Sequence, residues 1–222
     1  MSRVVFALIV LLGFTAGAGA QGRGAKPPVK PTAKPTAKSA AQATKTEPAN
    51  VSCPESLGKG IKTAATYCFV LAGTAAEQGV LVKLPARAGP ATLIFDLHNH
   101  HMYSEQYVRE KRAFSRYMAG IAILTMNMDV VGRAAVQSEF RAETDLYERI
   151  GGGAGPSGAK AVAPLGHERV YIPIPAGIDQ VSLLGEVLDA QTPAGRETAT
   201  PGRPVAVVSN IQIEYRPAPT KR

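Results

Sequence analysis

The chain has 222 residues, with 25 Lys+Arg against 17 Asp+Glu and a formal charge of +8. A hydrophobic fraction of 45% argues against a wholly disordered chain. Two cysteines are too few for a disulfide-scaffold mini-protein or a four-cysteine zinc site, and the length accommodates one domain with appendages.

The N-terminus reads as an address. Met1-Ser2-Arg3 is a short basic start, Val4 to Phe14 is an uncharged apolar core, and Ala18-Gly19-Ala20 is a small-x-small cleavage pattern. This predicts a signal peptide over 1–20 with cleavage before Gln21. The core is shorter than the roughly 20 apolar residues a bilayer-spanning helix needs. Export implies an oxidising compartment, which makes a Cys53–Cys68 disulfide the default expectation.

Residues 21–50 read as a disordered Lys/Pro/Ala/Thr-rich linker. Pro-Thr-Ala-Lys occurs at 31–34 and again at 35–38, and large apolar side chains are almost absent. The linker holds Arg23, Lys26, Lys30, Lys34, Lys38 and Lys45 against Glu47 alone. From Val51 onward 18 basic and 16 acidic side chains remain, so the basic isoelectric point is a property of the tail. That removes the charge argument for nucleic-acid binding by the domain, while a basic tail can still touch anionic envelope polymers or lipid head groups.

Residues 51–217 are expected to form one domain, with 218–222 as a C-terminal tail. Period-two patterning predicts strands over 66–71, 80–84, 92–98, 121–126, 134–140, 170–174, 181–188 and 205–215. The strand over 121–126 can extend back toward Ala113, and Pro173 demotes the strand over 170–174 to an edge. Ser104 can cap a helix running through Lys111, and Glu143 to Ile150 reads as two helical turns ended by three glycines. About eight alternating strands with Gly/Pro turns predict an all-β, antiparallel β-sandwich of jelly-roll type with one or two short helices.

The densest polar constellation is Asp96-Leu97-His98-Asn99-His100-His101, with Glu105 close behind. On a continued strand, Asp96, His98 and His100 share one face, where two imidazoles and a carboxylate suit a divalent transition metal. The bland alternative is a solvated strand end. The His98-Asn99-His100 spacing with Glu105 partly resembles the first motif of the cupin family, whose barrels are jelly rolls. Gly158, Pro164 and Gly166 follow the second cupin motif, with His167 placed two positions early. The glycines expected around the first motif are missing, and Tyr171 stands where that family has Asn. The resemblance implies a metal held by His98, His100, Glu105 and His167.

Other signals are weaker. Gly153-x-Gly155-x-x-Gly158 is a formal dinucleotide fingerprint without a βαβ setting, and it reads as a surface loop. Glu139, Glu143, Glu186 and Asp189 can serve as paired carboxylates only if a cleft brings two of them together. Arg109, Lys111, Arg112 and Arg116 lie beside Tyr103, Tyr107, Phe114 and Tyr117, either as an acidic-polymer site or as a solvated face over packed aromatics. Asn50-Val51-Ser52 is a glycosylation sequon.

The expectation is therefore an exported, non-catalytic binding module of the envelope without a cofactor, periplasmic or extracellular. Its partner would be an envelope polymer, glycan or protein, not nucleic acid, and no later segment spans a membrane. The alternative is a cupin-like metal protein or metal-dependent enzyme.

Overall fold

The computed structural model describes residues 43–154, 160–164 and 166–219. The expected signal peptide, the linker up to residue 42, Gly158 and the last three residues lie outside the described residues.

The described chain is all-β and antiparallel, in two sheets. It opens with β1 (Lys45–Pro48), β2 (Asn50–Ser52), β3 (Ser56–Gly60), β4 (Thr66–Leu71) and β5 (Val80–Lys83). The long β6 (Arg87–Asn99) breaks at His100 and resumes as β7 (His101–Tyr103). A five-residue helix, α1 (Glu105–Arg109), leads to β8 (Ser115–Thr125) and β9 (Val130–Phe140). Then come β10 (Leu146–Ala154), β11 (Lys160–Pro164), β12 (Glu168–Ile174), β13 (Gln180–Thr192), β14 (Gly195–Thr198) and β15 (Pro204–Pro217). No helix among the described residues is long and apolar enough to cross a membrane.

One sheet runs β12-β6-β15-β4-β3-β10-β11-β7, with β1 added beside β15; the other runs β2-β5-β13-β8-β9, with β14 beside β13. The alternation read from sequence decides which side chains enter the space between them. Leu93, Phe95 and Leu97 of β6 share the main core with Val208 and Ile213 of β15. From the other sheet come Ile121 and Ile123 of β8 and Val181 and Leu183 of β13. At Gly185 of β13 the layers touch, since a Cβ there would lie 2.5 Å from Val205 Cγ2.

The segment containing β1 and β2 straps the two sheets together. β1 pairs with β15 in one sheet, the Ala49 amide donates to the Ile211 carbonyl at 3.0 Å, and β2 pairs with β5 in the other. The Cys53–Cys68 disulfide follows at once, joining the end of β2 to β4 across a Cα–Cα distance of 5.6 Å. β1 lies inside the stretch that composition reads as linker. It gains what a free linker lacks, a ladder partner and a Tyr215 hydroxyl that donates to Glu47 at 2.6 Å.

The larger sheet also curls back to the continuation of β6, its second strand. β11 pairs with β7, which is the same extended segment as β6 one residue further on. The ladder from β6 through β15, β4, β3, β10 and β11 therefore curls round a second, smaller core. Tyr67, Phe69, Ile150 and Val207 fill it, with Leu57 and Tyr147 at its margin.

Two expectations need correction. Glu143 to Ile150 is not helical: Glu143–Asp145 form a single 3-10 turn and the strand β10 follows. Tertiary pairing overrides the local signal, because Ile150 pairs with Gly60 and Gly151 with Lys59. The glycine run accordingly begins inside a strand and not in a surface loop. The expected helix after Ser104 does form, although shorter, and the Ser104 hydroxyl accepts from the Tyr107 amide at 3.4 Å. β12 is the edge strand that Pro173 demands.

Candidate functional site

All four histidines lie at or near the break between β6 and β7. The strand alternation sends them to different places. His98 is fully buried inside the curled ladder, where its Nε2 lies 2.9 Å from the Ser209 hydroxyl. The rings of Tyr67, Tyr147 and His167 surround it, with centroids 5.4, 5.8 and 5.0 Å away. Its Nδ1 has no hydrogen-bond partner among the described residues. Burial, reinforced by neighbouring His167, holds His98 neutral down to about pH 4, with Asp96 opposing weakly.

His101 faces the opposite way, into the space between the sheets. Its ring lies 4.1 Å from Tyr117 and 5.7 Å from Phe140, and its Nε2 is 3.3 Å from the Ser138 hydroxyl. Burial lowers its pKa to about 3, with His100 adding to the effect. Asn99 shares this polar seam and donates to Ser138 at 2.8 Å.

His100 stands alone among the four at the end of the sandwich. It meets Phe69 edge-on at 5.0 Å, and burial followed by the charge of Arg203 lowers its pKa to about 4. Of the residues expected to share a metal, His98 and His167 come together. No ring contact joins His100 to them among the described residues, and Glu105 begins α1. Asp96 is committed elsewhere, accepting from Arg169 at 2.8 Å and from Asn210 at 3.2 Å. Among the described residues, no three His, Cys, Asp or Glu side chains gather into a set able to hold a metal ion.

The four carboxylates considered for a catalytic pair are each tied to an arginine. Glu139 pairs with Arg141, Glu143 with Arg149, Glu186 with Arg133 and Asp189 with Arg196. In the basic stretch around the end of α1, Arg112 is likewise engaged. Arg112 lies over the Tyr107 ring and pairs with Glu110 at 3.1 Å, while Arg141 lies over Phe114.

What the fold assembles instead is a cavity of about 210 Å³ beside His100. Tyr107 of α1, Tyr117 of β8 and Phe140 of β9 supply three aromatic walls. Ser104, Ser115 and His100 add polar groups, and the β13–β14 hairpin contributes Thr192 and Glu197. Burial, and then the nearby Glu197 carboxylate, raise the Tyr117 phenol above its ordinary value, so it stays a neutral donor. A second, more polar chamber of about 470 Å³ shares His100 and Glu197 with the first and brings in Glu55, Thr198, Thr200 and Arg203.

Tyr107 and Tyr117 carried a sequence signal, as aromatics interleaved with basic residues. Phe140, Glu197 and Arg203 carried none, because the β8–β9 and β13–β14 hairpins meet only through the β8–β13 pairing, in which Tyr117 stands opposite Ala190. No protein-family model, characterised protein or solved structure matches this chain.

Proposed function

We propose that this chain is an exported, non-catalytic binding module of the cell envelope, whose ligand places one compact group in the cavity between Tyr107, Tyr117 and Phe140. The observation that carries this reading is the cavity itself. Three aromatic walls with a few convergent polar groups are the usual make-up of a small-molecule site. At about 210 Å³ it falls below the roughly 300–1,000 Å³ of drug-sized sites, so it suits a single sugar ring or a head group more than a polymer. A glycan or other envelope component would present that group, and the Lys/Pro-rich spacer would hold the module away from its anchorage or partner.

Export is supported by the basic start, the apolar core, the Ala18-Gly19-Ala20 pattern and the Cys53–Cys68 cross-link. Periplasmic and extracellular sites are both compatible with these features.

The chain has seven tyrosines and no tryptophan, so its intrinsic fluorescence reports tyrosine surroundings. Titrating the protein with neutral sugars, amino sugars and small ammonium compounds should reveal a saturable tyrosine signal for one class. Tyr107→Ala, at a partly exposed position, should abolish it without lowering the melting temperature. Saturable binding that survives Tyr107→Ala and Glu197→Gln together would place the ligand elsewhere and overturn this reading.

A further inference from the structure

The charges around the cavity narrow the ligand class, on the reading that this cavity is the ligand site. The aromatic chamber is lined by one carboxylate, Glu197, and by no lysine or arginine, and its His100 is held neutral. Glu197 forms no ion pair among the described residues. The chamber's serines are already engaged: Ser115 donates to the Ala113 carbonyl at 3.4 Å, and Ser104 accepts from the Tyr107 amide. For a neutral polyol that leaves Tyr117, His100 and Glu197 as the main polar partners, and it would leave the Glu197 charge uncompensated. Aromatic faces beside an uncompensated carboxylate suit a cation, above all an alkylated ammonium that has no strong hydration shell to give up.

The adjoining chamber supplies the opposite charge. Arg203 faces His100 from that side, close enough to disfavour protonation of the imidazole. Arg203 also makes no ion pair among the described residues, and Thr198 and Thr200 line the same chamber. His100 and Glu197 stand on the boundary and belong to both chambers. Glu55 in the polar chamber opposes an anion there, and Arg112 over Tyr107 opposes a cation, although Glu110 neutralises Arg112.

We propose that the two chambers form one site for a zwitterion, with its alkylated ammonium between Tyr107, Tyr117, Phe140 and Glu197 and its anionic end toward Arg203. The ligand class is a betaine or a phosphocholine-type head group. The shared chemistry is a methylated ammonium a few bonds from a carboxylate or phosphate.

The test is calorimetric titration of the full exported chain with glycine betaine, phosphocholine, choline, the uncharged carbon isostere of choline, and glucose. Glycine betaine or phosphocholine should bind most tightly, choline more weakly, and the isostere at least about tenfold more weakly than choline, as expected for loss of a partly desolvated cation–π contact. The better of glycine betaine and phosphocholine distinguishes a carboxylate from a phosphate end. Glu197→Gln should weaken every ammonium ligand, whereas Arg203→Gln should weaken the zwitterions and leave choline unchanged. Equal binding of choline and its isostere would overturn the cation assignment, and insensitivity of the zwitterions to Arg203→Gln would overturn the anion assignment. Glucose binding that Tyr107→Ala removes would leave the cavity as the ligand site and sink the zwitterion. Failure of all five compounds would sink the zwitterion too, and the wider panel of neutral and amino sugars then decides whether the cavity reading stands.

Discussion

Glu148 accepts hydrogen bonds from the backbone amides of both Lys62 and Thr63, at 2.9 and 2.6 Å, although 86 and 85 residues separate them in sequence. The Arg149 amide donates to the same carboxylate at 3.1 Å. Burial alone would push this carboxyl up. The amides of Lys62, Thr63 and Arg149, with the Thr63 side chain, outweigh burial and hold it below its ordinary value. The side chain thus ends the turn between β3 and β4 and fastens it to β10, closing the curled ladder round His98.

Replacing this carboxylate should open that closure. Glu148→Ala removes the acceptor from two amides on exposed turn residues that water can reach, so the cost is about 1–3 kcal/mol, at roughly 0.5–1.5 kcal/mol net for each hydrogen bond. Glu148→Gln keeps one acceptor oxygen and should cost about half as much. Chemical denaturation of both variants checks this, and hydrogen exchange should show the amides of Lys62 and Thr63 losing protection first. An unchanged midpoint for Glu148→Ala would mean that the turn is held by other contacts.

The buried imidazoles set the acid limit of the fold. His98 and His100 are depressed to about 4 and His101 to about 3, against roughly 6.5 for an unfolded histidine. Between those values the unfolded chain binds more protons than the folded one, so stability rises with pH up to about 6.5 and then levels off. Seen from neutrality, stability falls as pH drops from about 6.5 toward 4. A single imidazole as deeply buried as His98 contributes on the order of 3 kcal/mol to that loss. Melting curves from pH 7.5 to 4 should show the decline, and His98→Gln should make it shallower, with His100 and His101 still contributing. A melting temperature independent of pH across that window would contradict the burial of His98 and His101.

The disulfide joins the strap to the larger sheet, and its loss should loosen both. Closing a 15-residue loop is worth about 3 kcal/mol in the chain-entropy model. Cys53→Ser with Cys68→Ala removes that constraint and leaves a small residue where Cys68 packs in the main core. Guanidinium denaturation should show a loss of about 2–5 kcal/mol, and proteolysis should cut first near β1 and β2. A cut pattern unchanged from wild type would mean that the ladder to β15 and β5 holds the strap unaided.

Much of the sandwich was legible because its central strands alternate strictly. Thr66–Leu71 was readable to the residue, and the strand holding Leu93, Phe95 and Leu97 was centred correctly although its ends were longer. The curled half was not legible. β3 and β10 are glycine-rich and short of β-branched residues, and their pairing rests on contacts about 90 positions apart. The histidine cluster was visible, but its division was not. The chain leaves regular strand at His100, so adjacent imidazoles face three different surroundings. Glu197 and Arg203 were silent, since a lone charge in a short hairpin or loop has no pattern to betray its neighbours.

A close approach between the layers offers a sharper test of the packing. Gly185 lies opposite Val205, and a methyl group there would come within 2.5 Å of Val205 Cγ2 and 2.6 Å of its Cβ. Both Val205 atoms belong to a fully buried, β-branched side chain that has no flexible end to swing aside. Gly185→Ala must therefore push β13 away from β15 or distort one of them, at a cost of about 1–3 kcal/mol. Gly185→Ala combined with Val205→Ala should recover only part of the loss, because it removes the Cγ2 and Cγ1 contacts while alanine keeps the Cβ that lies 2.6 Å away. A double-mutant cycle on denaturation midpoints measures this coupling. Additive losses from the two substitutions would show that the sheets do not meet at this pair.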